Sequence, residues 1–144
     1  MTAWLIGHRG MLGQDVERIL NERRIDYLAT DQDVDIGDMD SLRAFAEGVA
    51  ARAVEWVINC SGYTAVDQAE REPELAYRVN AEGARNAAMI AADLGATLIH
   101  ISTDYVFNGR KSEPYDERDT ADPTSVYGKS KREGERQVRS SCGR

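Results

Sequence analysis

The chain has 144 residues and a mass of 16.0 kDa, one domain's worth of polypeptide and enough for a real hydrophobic core. Hydrophobic residues make up 42% and charged residues 30%, ordinary globular proportions that exclude a disordered chain. The net charge of −7 argues against non-specific nucleic-acid binding, which needs a basic surface.

Ala3-Trp4-Leu5-Ile6 is a short apolar run that stops at Gly7 and reads as a buried strand. Met11, Leu12, Val16, Ile19 and Leu20 follow at helical spacing. Tyr27-Leu28-Ala29 is a second strand candidate, ending at Asp31. Residues 41–53 carry Leu42, Phe45 and Val49 on one helical stripe, with Asp40 as the expected N-cap. Glu55-Trp56-Val57-Ile58-Asn59 is a third strand. Pro73 opens the longest predicted helix, with Leu75, Val79, Ala87, Ile90 and Leu94 as its apolar stripe and Gly95 at its end. Thr97-Leu98-Ile99-His100-Ile101 is a fourth strand. Residues 108–124 are polar, contain two prolines and a glycine, and read as a long loop. A last, charged helix is expected from Ser125 to about Arg139.

Strands thus alternate with helices, and the strands are continuous apolar runs. That pattern predicts an α/β fold, a doubly wound parallel sheet of the Rossmann type, covered on both faces. Trp4 and Trp56 are expected in its core. Residues 140–144 read as a connection toward another element.

Two cysteines, Cys60 and Cys142, lie far apart with no CxxC, so a disulfide framework is not expected and a reducing cytoplasm fits best. Cys60 reads as a small buried residue. Two histidines, His8 and His100, have no metal-ligand spacing; His8 is expected to face solvent and His100 to sit in the sheet. With no run of 18 apolar residues and no basic, then apolar, N-terminus, neither a membrane span nor a signal peptide is expected.

Gly7-His8-Arg9-Gly10-Met11-Leu12-Gly13 is a GxxGxxG that follows a strand and opens a helix. Glycines there let the backbone turn tightly and approach a pyrophosphate, and the helix N-terminus offers N–H groups and positive partial charge. Gly7, Gly10 and Gly13 are therefore cofactor candidates. Asp31 lies at the end of the second strand, where a carboxylate meets adenosine ribose hydroxyls. Arg9 in the glycine loop could meet a 2′-phosphate, so NADH and NADPH are both left open. Tyr127 and Lys131 stand four apart on one helix face. An ammonium beside a phenol favours the phenolate, and such a tyrosine can exchange a proton with an alcohol oxygen. Ser102-Thr103 places hydroxyls at the carboxyl end of the fourth strand, beside the ligand crevice of such a sheet. Residues 125–144 hold 6 basic and 2 acidic side chains, either a solvated helix face or a site for an anionic ligand.

Taken in order, Gly7–Gly13, Asn59-Cys60-Ser61-Gly62-Tyr63-Thr64-Ala65-Val66-Asp67, Glu72-Pro73-Glu74-Leu75-Ala76, Val79-Asn80, Ser102-Thr103-Asp104-Tyr105-Val106-Phe107-Asn108-Gly109 and Pro123-Thr124-Ser125-Val126-Tyr127-Gly128-Lys129-Ser130-Lys131 resemble the extended short-chain dehydrogenase/reductases. Within them the chain resembles the dTDP-4-dehydrorhamnose reductases. The resemblance implies NADPH or NADH as cofactor, a dTDP-sugar as substrate, and reduction of a C4 ketone. It implies Gly10, Met11 and Leu12 at the pyrophosphate, Asp31, Asp35 and Ile36 along the adenosine, and Gly62, Tyr63 and Thr64 past the cofactor's centre. It implies Thr103, Tyr127 and Lys131 as catalytic residues, with Thr103 and Asp104 touching the sugar. Tyr127 would protonate the alkoxide oxygen, Lys131 would tune Tyr127 and hold the nicotinamide ribose, and Thr103 would orient the carbonyl. Family members are about twice this long, so residues 1–144 are expected to be an incomplete Rossmann domain with the later strands and substrate region missing. A homodimer is among the expected assemblies; nucleic acid and membrane are not expected partners. Alternative readings are a non-catalytic dinucleotide-binding fragment, a relative resembling the regulatory subunits of methionine adenosyltransferase, and a nucleotide-sugar epimerase or dehydratase.

Overall fold

The computed structural model describes residues 1–141. Four strands, β1 (Thr2–Ile6), β2 (Asp26–Thr30), β3 (Val54–Asn59) and β4 (Thr97–His100), form one parallel sheet in the order β2-β1-β3-β4. Helix α1 (Met11–Glu22) connects β1 to β2, and α2 (Met39–Gly48) carries the chain back across β1 to β3. A short helix, α3 (Val66–Ala69), precedes a continuous helical path made of α4 (Pro73–Tyr77), a π-helical turn (Arg78–Glu82) and α5 (Gly83–Asp93). After β4 come a 3₁₀ turn (Asp104–Val106), a long irregular segment and α6 (Val126–Ser141). The strand order reverses direction between β1 and β3, which opens a crevice at their carboxyl ends.

The register explains why the strands read as unbroken apolar runs. Trp4, Leu28, Val57 and Leu98 stand side by side across the sheet. With Ile6 they pack against Leu42 and Ala46 of α2 and Ala87, Ile90 and Ala91 of α5. Trp4 stacks at 4.7 Å on Phe45, and its Nε1–H donates to Thr30 Oγ1 at 2.9 Å. The other face carries Ala3 and Leu5, covered by α1, and continues into Trp56, Ile58 and Ile99. Helix α1 packs against β1 and β2. Among the described residues this face is therefore half open over β3 and β4. Trp56, expected in the core, is only partly buried, and Ile99 and Ile101 are 40% and 37% exposed.

Other expectations shift. The helix expected over 41–53 runs Met39–Gly48, followed by a 3₁₀ turn (Ala50–Arg52) that ends on left-handed Ala53 at φ 49°. Its N-cap is Asp38, whose carboxylate accepts from the Asp40 N–H at 3.0 Å; Asp40 is not the cap, because it already has helical position. The single stripe drawn from Leu75 to Leu94 fails at its start. The π turn winds the helix wider than 3.6 residues per turn, so Leu75 is 39% exposed while Ala87 and Ile90 reach the core. Neither α3 nor the turn at Asp104 was expected. Ser140 and Ser141, expected in a connection, belong to α6; Cys142, Gly143 and Arg144 lie outside the described residues.

Candidate active site

The glycine loop is shaped by close approach. Gly7 ends β1 with φ +80°, a left-handed value that favours glycine, and a Cβ there would stand 2.7 Å from the Ser61 nitrogen. A Cβ on Gly13 would fall 2.1 Å from the Gly7 carbonyl oxygen. Helix α1 begins directly after Gly10, with no side-chain cap and no acid in its first turn. Its amino end therefore keeps its positive partial charge for an anion. Met11 and Leu12 are exposed.

Asp31 ties the neighbouring strand to this loop. Its carboxylate accepts from the Arg9 N–H at 3.0 Å and the Gln32 N–H at 2.9 Å. The Asp31 N–H in turn donates to Asp33, which with a further backbone bond holds the Asp33 carboxyl below its usual range. From here an open cleft of about 820 Å³ runs along the carboxyl ends of β1 and β3. Of the cofactor candidates, Gly7, Gly10, Asp31, Asp35, Ile36, Gly62 and Tyr63 line it. Gly13 is buried, Thr64 is exposed, and Met11, Leu12 and Thr64 are not part of the lining. His8, expected in solvent, is mostly covered, with Nδ1 3.3 Å from Glu17. Cys60 is half-buried in the cleft wall, and burial pushes its thiol pKa up.

The cleft's far wall is stitched to α6 through one amide. Buried Asn80 accepts from the Tyr63 N–H at 2.8 Å and donates to the Tyr63 carbonyl and to Ser130 Oγ, each at 3.0 Å. The Tyr63 hydroxyl donates to Glu72 at 2.6 Å, which raises the phenol's pKa and lowers the carboxyl's.

Tyr127 and Lys131 occupy successive turns of α6, both buried. The Lys131 ammonium donates to the Ile101 carbonyl at 2.6 Å, and burial lowers its pKa against the opposing charge of Glu135. Two residues on, Thr103 caps the 3₁₀ turn: its Oγ1 accepts from the Tyr105 N–H at 3.2 Å and donates to Asp104 at 3.3 Å. The Tyr105 ring meets the Tyr127 ring edge-on at 5.4 Å. This contact needs Gly128, where a Cβ would lie 2.2 Å from the Tyr105 carbonyl oxygen. The Lys131–Ile101 and Tyr105–Tyr127 contacts thus tie α6 to the segment that carries Thr103, and Thr103, Tyr127 and Lys131 all lie outside the lining of the 820 Å³ cleft. His100 sits in β4 as expected, with Nδ1 3.2 Å from Asn59 Nδ2. Its buried Nε2 has no protein partner. Among the described residues of the basic segment 125–144, Arg132 pairs with Glu135 and Arg136 with Glu133 along α6, and the other basic residues exceed the acids available to them.

A family model described as "RmlD substrate binding domain" matches residues 1–144. The chain belongs to the RmlD substrate-binding-domain family. A dTDP-4-dehydrorhamnose reductase of Streptomyces griseus is 42% identical over 137 residues, covering 94% of this chain and 44% of the relative. Among solved structures, a dTDP-4-dehydrorhamnose reductase of Clostridium acetobutylicum superposes with a TM-score of 0.92 at 38% identity, covering 99% of this chain and 50% of the other. One from Bacillus anthracis, solved in complex with NADP, gives the same TM-score at 37% identity and the same coverages. The chain spans about half the length of the curated relatives it matches. Within this RmlD-family fold, Arg78 and Asn80 are site residues to which the sequence motifs assign no role, although Val79-Asn80 is among the resembling segments. A signal for Asn80 exists in its neighbours: an amide between Val79 and Ala81, on the side of the helix that carries Ala84 and Ala87, must find buried partners.

Proposed function

We propose that this chain carries the dinucleotide-binding part and the catalytic residues of an NADPH- or NADH-dependent reductase that converts dTDP-4-dehydro-L-rhamnose to dTDP-L-rhamnose. The observation that carries the reading is the buried Lys131 ammonium bound to Ile101. That bond ties the Tyr127 helix to the residue just after β4, two positions before Thr103, and so supports a shared site at this end of the sheet. The residues fit a dinucleotide: Gly7 and Gly10 line the cleft, the amino end of α1 is uncapped, and Asp31 follows β2 and is bonded to the glycine loop, where a ribose-binding acid is expected.

In this proposal Gly7, Gly10, Gly13 and the backbone of Met11 and Leu12 hold the pyrophosphate. Asp31, Asp35 and Ile36 hold the adenosine half, and Gly62, Tyr63 and Thr64 border its middle. When bound, the nicotinamide supplies hydride to the sugar's C4. Thr103 hydrogen-bonds the ketone oxygen and Asp104 contacts the sugar. Tyr127 delivers its hydroxyl proton to that oxygen. Lys131 stabilises the phenolate left behind, and its anchor on Ile101 keeps the ammonium from swinging into solvent. A cytoplasmic location belongs to the reading, supported by the free thiol of Cys60. So does a homodimer, supported by the half-open apolar face over β3 and β4; sedimentation of the full chain tests it.

The test of the reaction is consumption of NADPH by the full chain, dependent on dTDP-4-dehydro-L-rhamnose and stoichiometric with product. Tyr127→Phe should lower turnover by about 10²–10⁴-fold without weakening cofactor binding. Cofactor binding without turnover in the unmutated chain would sink the catalytic reading and leave the dinucleotide reading standing.

A further inference from the structure

Besides the glycines and Asp31, the cleft has a further set of lining residues. Val34, Ile36, Leu75 and Val79 give it apolar walls, and one charged pair, Asp35 and Arg78, faces it. In a dinucleotide the base follows the ribose, so with the ribose at Asp31 the base falls beside these residues. This step rests on the dinucleotide reading above.

Asp35 is fully oriented here. One carboxylate oxygen accepts from the Gly37 N–H at 2.8 Å, and the other accepts from Arg78 Nη2 at 2.5 Å. Its own N–H donates to Ser41 Oγ at 3.2 Å. Arg78 leads the π turn, a feature that recurs at functional sites. Its side chain passes so near Gly37 that a Cβ there would stand 2.9 Å from its Cγ and Nε. Neither the pair nor the missing side chain at Gly37 is needed to close the main core, which is built from other residues.

An ionised carboxylate only accepts hydrogen bonds, and each oxygen keeps a second lone pair. It can receive the exocyclic amine of adenine and repels the carbonyl oxygen that replaces that amine in hypoxanthine. We infer that Arg78 is a positioning residue: by pinning the Asp35 carboxylate in the cleft wall, it sets the chain's preference for an amino-purine dinucleotide over its oxo-purine analogue.

The experiment compares Kd values of NADH and reduced nicotinamide hypoxanthine dinucleotide on the full chain. Wild type should bind the adenine form at least about tenfold more tightly, since a site built around a polar group rejects the mismatched analogue strongly. Arg78→Met should bring the ratio below about threefold, and Asp35→Asn, whose amide can also donate, should abolish or reverse it. Arg78→Lys guards against a folding defect: it keeps the charge, gives up the fork, and its ratio should fall between those of wild type and Arg78→Met. A wild-type ratio near one, or an unchanged ratio in an Arg78 variant that melts like wild type, overturns the inference alone. Failure of wild type to bind either dinucleotide overturns the dinucleotide reading and this inference with it.

Discussion

His100 shows what one side chain contributes to stability. Burial, then the nearby Lys131 charge, pushes its pKa down to about 4, against a weaker pull upward from Glu135. The imidazole is thus neutral in the folded chain where an unfolded one, near pH 6.5, already takes a proton. Above that value the group has no effect on the balance. As pH falls from about 6.5 toward 4, only the unfolded chain binds the proton, so stability is lost across that window, by about 3 kcal/mol at most. Urea unfolding of wild type and His100→Gln, each at pH about 7 and about 4.5, measures it. Wild type should lose more on acidification than the variant, and equal losses would contradict a buried neutral imidazole. The histidine's place in the sheet was legible from the run Thr97–Ile101. Its unpartnered nitrogen was not, because the groups around it come from β3 and α6, far off in sequence. The same holds for Lys131: spacing put it one turn from Tyr127, but only the fold shows that its ammonium is held by Ile101.

At the scale of elements, helix ends separate local from tertiary information. Asp38 and Asp40 are equally good cap residues by type, and spacing alone favoured the wrong one. Asp38 is extended, at φ −113° and ψ 110°, and its carboxylate reaches forward to the Asp40 N–H. Asp40 lies inside the first turn, where its charge only favours the dipole. Asp38→Ala should therefore cost about 1 kcal/mol, and Asp40→Ala less than half of that, read as shifts in the denaturation midpoint. Equal losses would mean that the cap bond contributes nothing. The π turn at Arg78–Glu82 is the element that no local pattern announces. Hydrophobic periodicity assumes one winding throughout, and Leu75 on the cleft side is where that assumption breaks. Elements whose residues are buried on one steady period, such as β1 and β3, were readable nearly to their ends.

For the whole molecule, alternation of apolar runs with helical stripes carried the parallel, doubly wound sheet, because that pattern has few other topologies open to it. The half-open face over β3 and β4 was not readable, since a strand's composition does not say which helix covers it. The glycine cradle couples this fold to its proposed ligand, and that coupling has a thermal consequence. A ligand that binds only the folded chain stabilises it by about 2.7 kcal/mol at a concentration a hundredfold above Kd. For a chain of this length that corresponds to a rise in Tm of roughly 5–10 °C. NADPH or NADH should produce such a rise with wild type. A Cβ at Gly13 would collide with the Gly7 carbonyl at 2.1 Å, and backbone is the least yielding neighbour it could meet. Gly13→Ala should consequently lose more than half of the ligand-induced shift. Asp38→Ala lowers stability at a distance from the cradle, so it should lower Tm while leaving the shift intact. If both variants lose the shift in proportion to their Tm, the effect is general weakening and the cradle is not where the dinucleotide binds; if only Gly13→Ala loses it, the glycine loop holds the ligand.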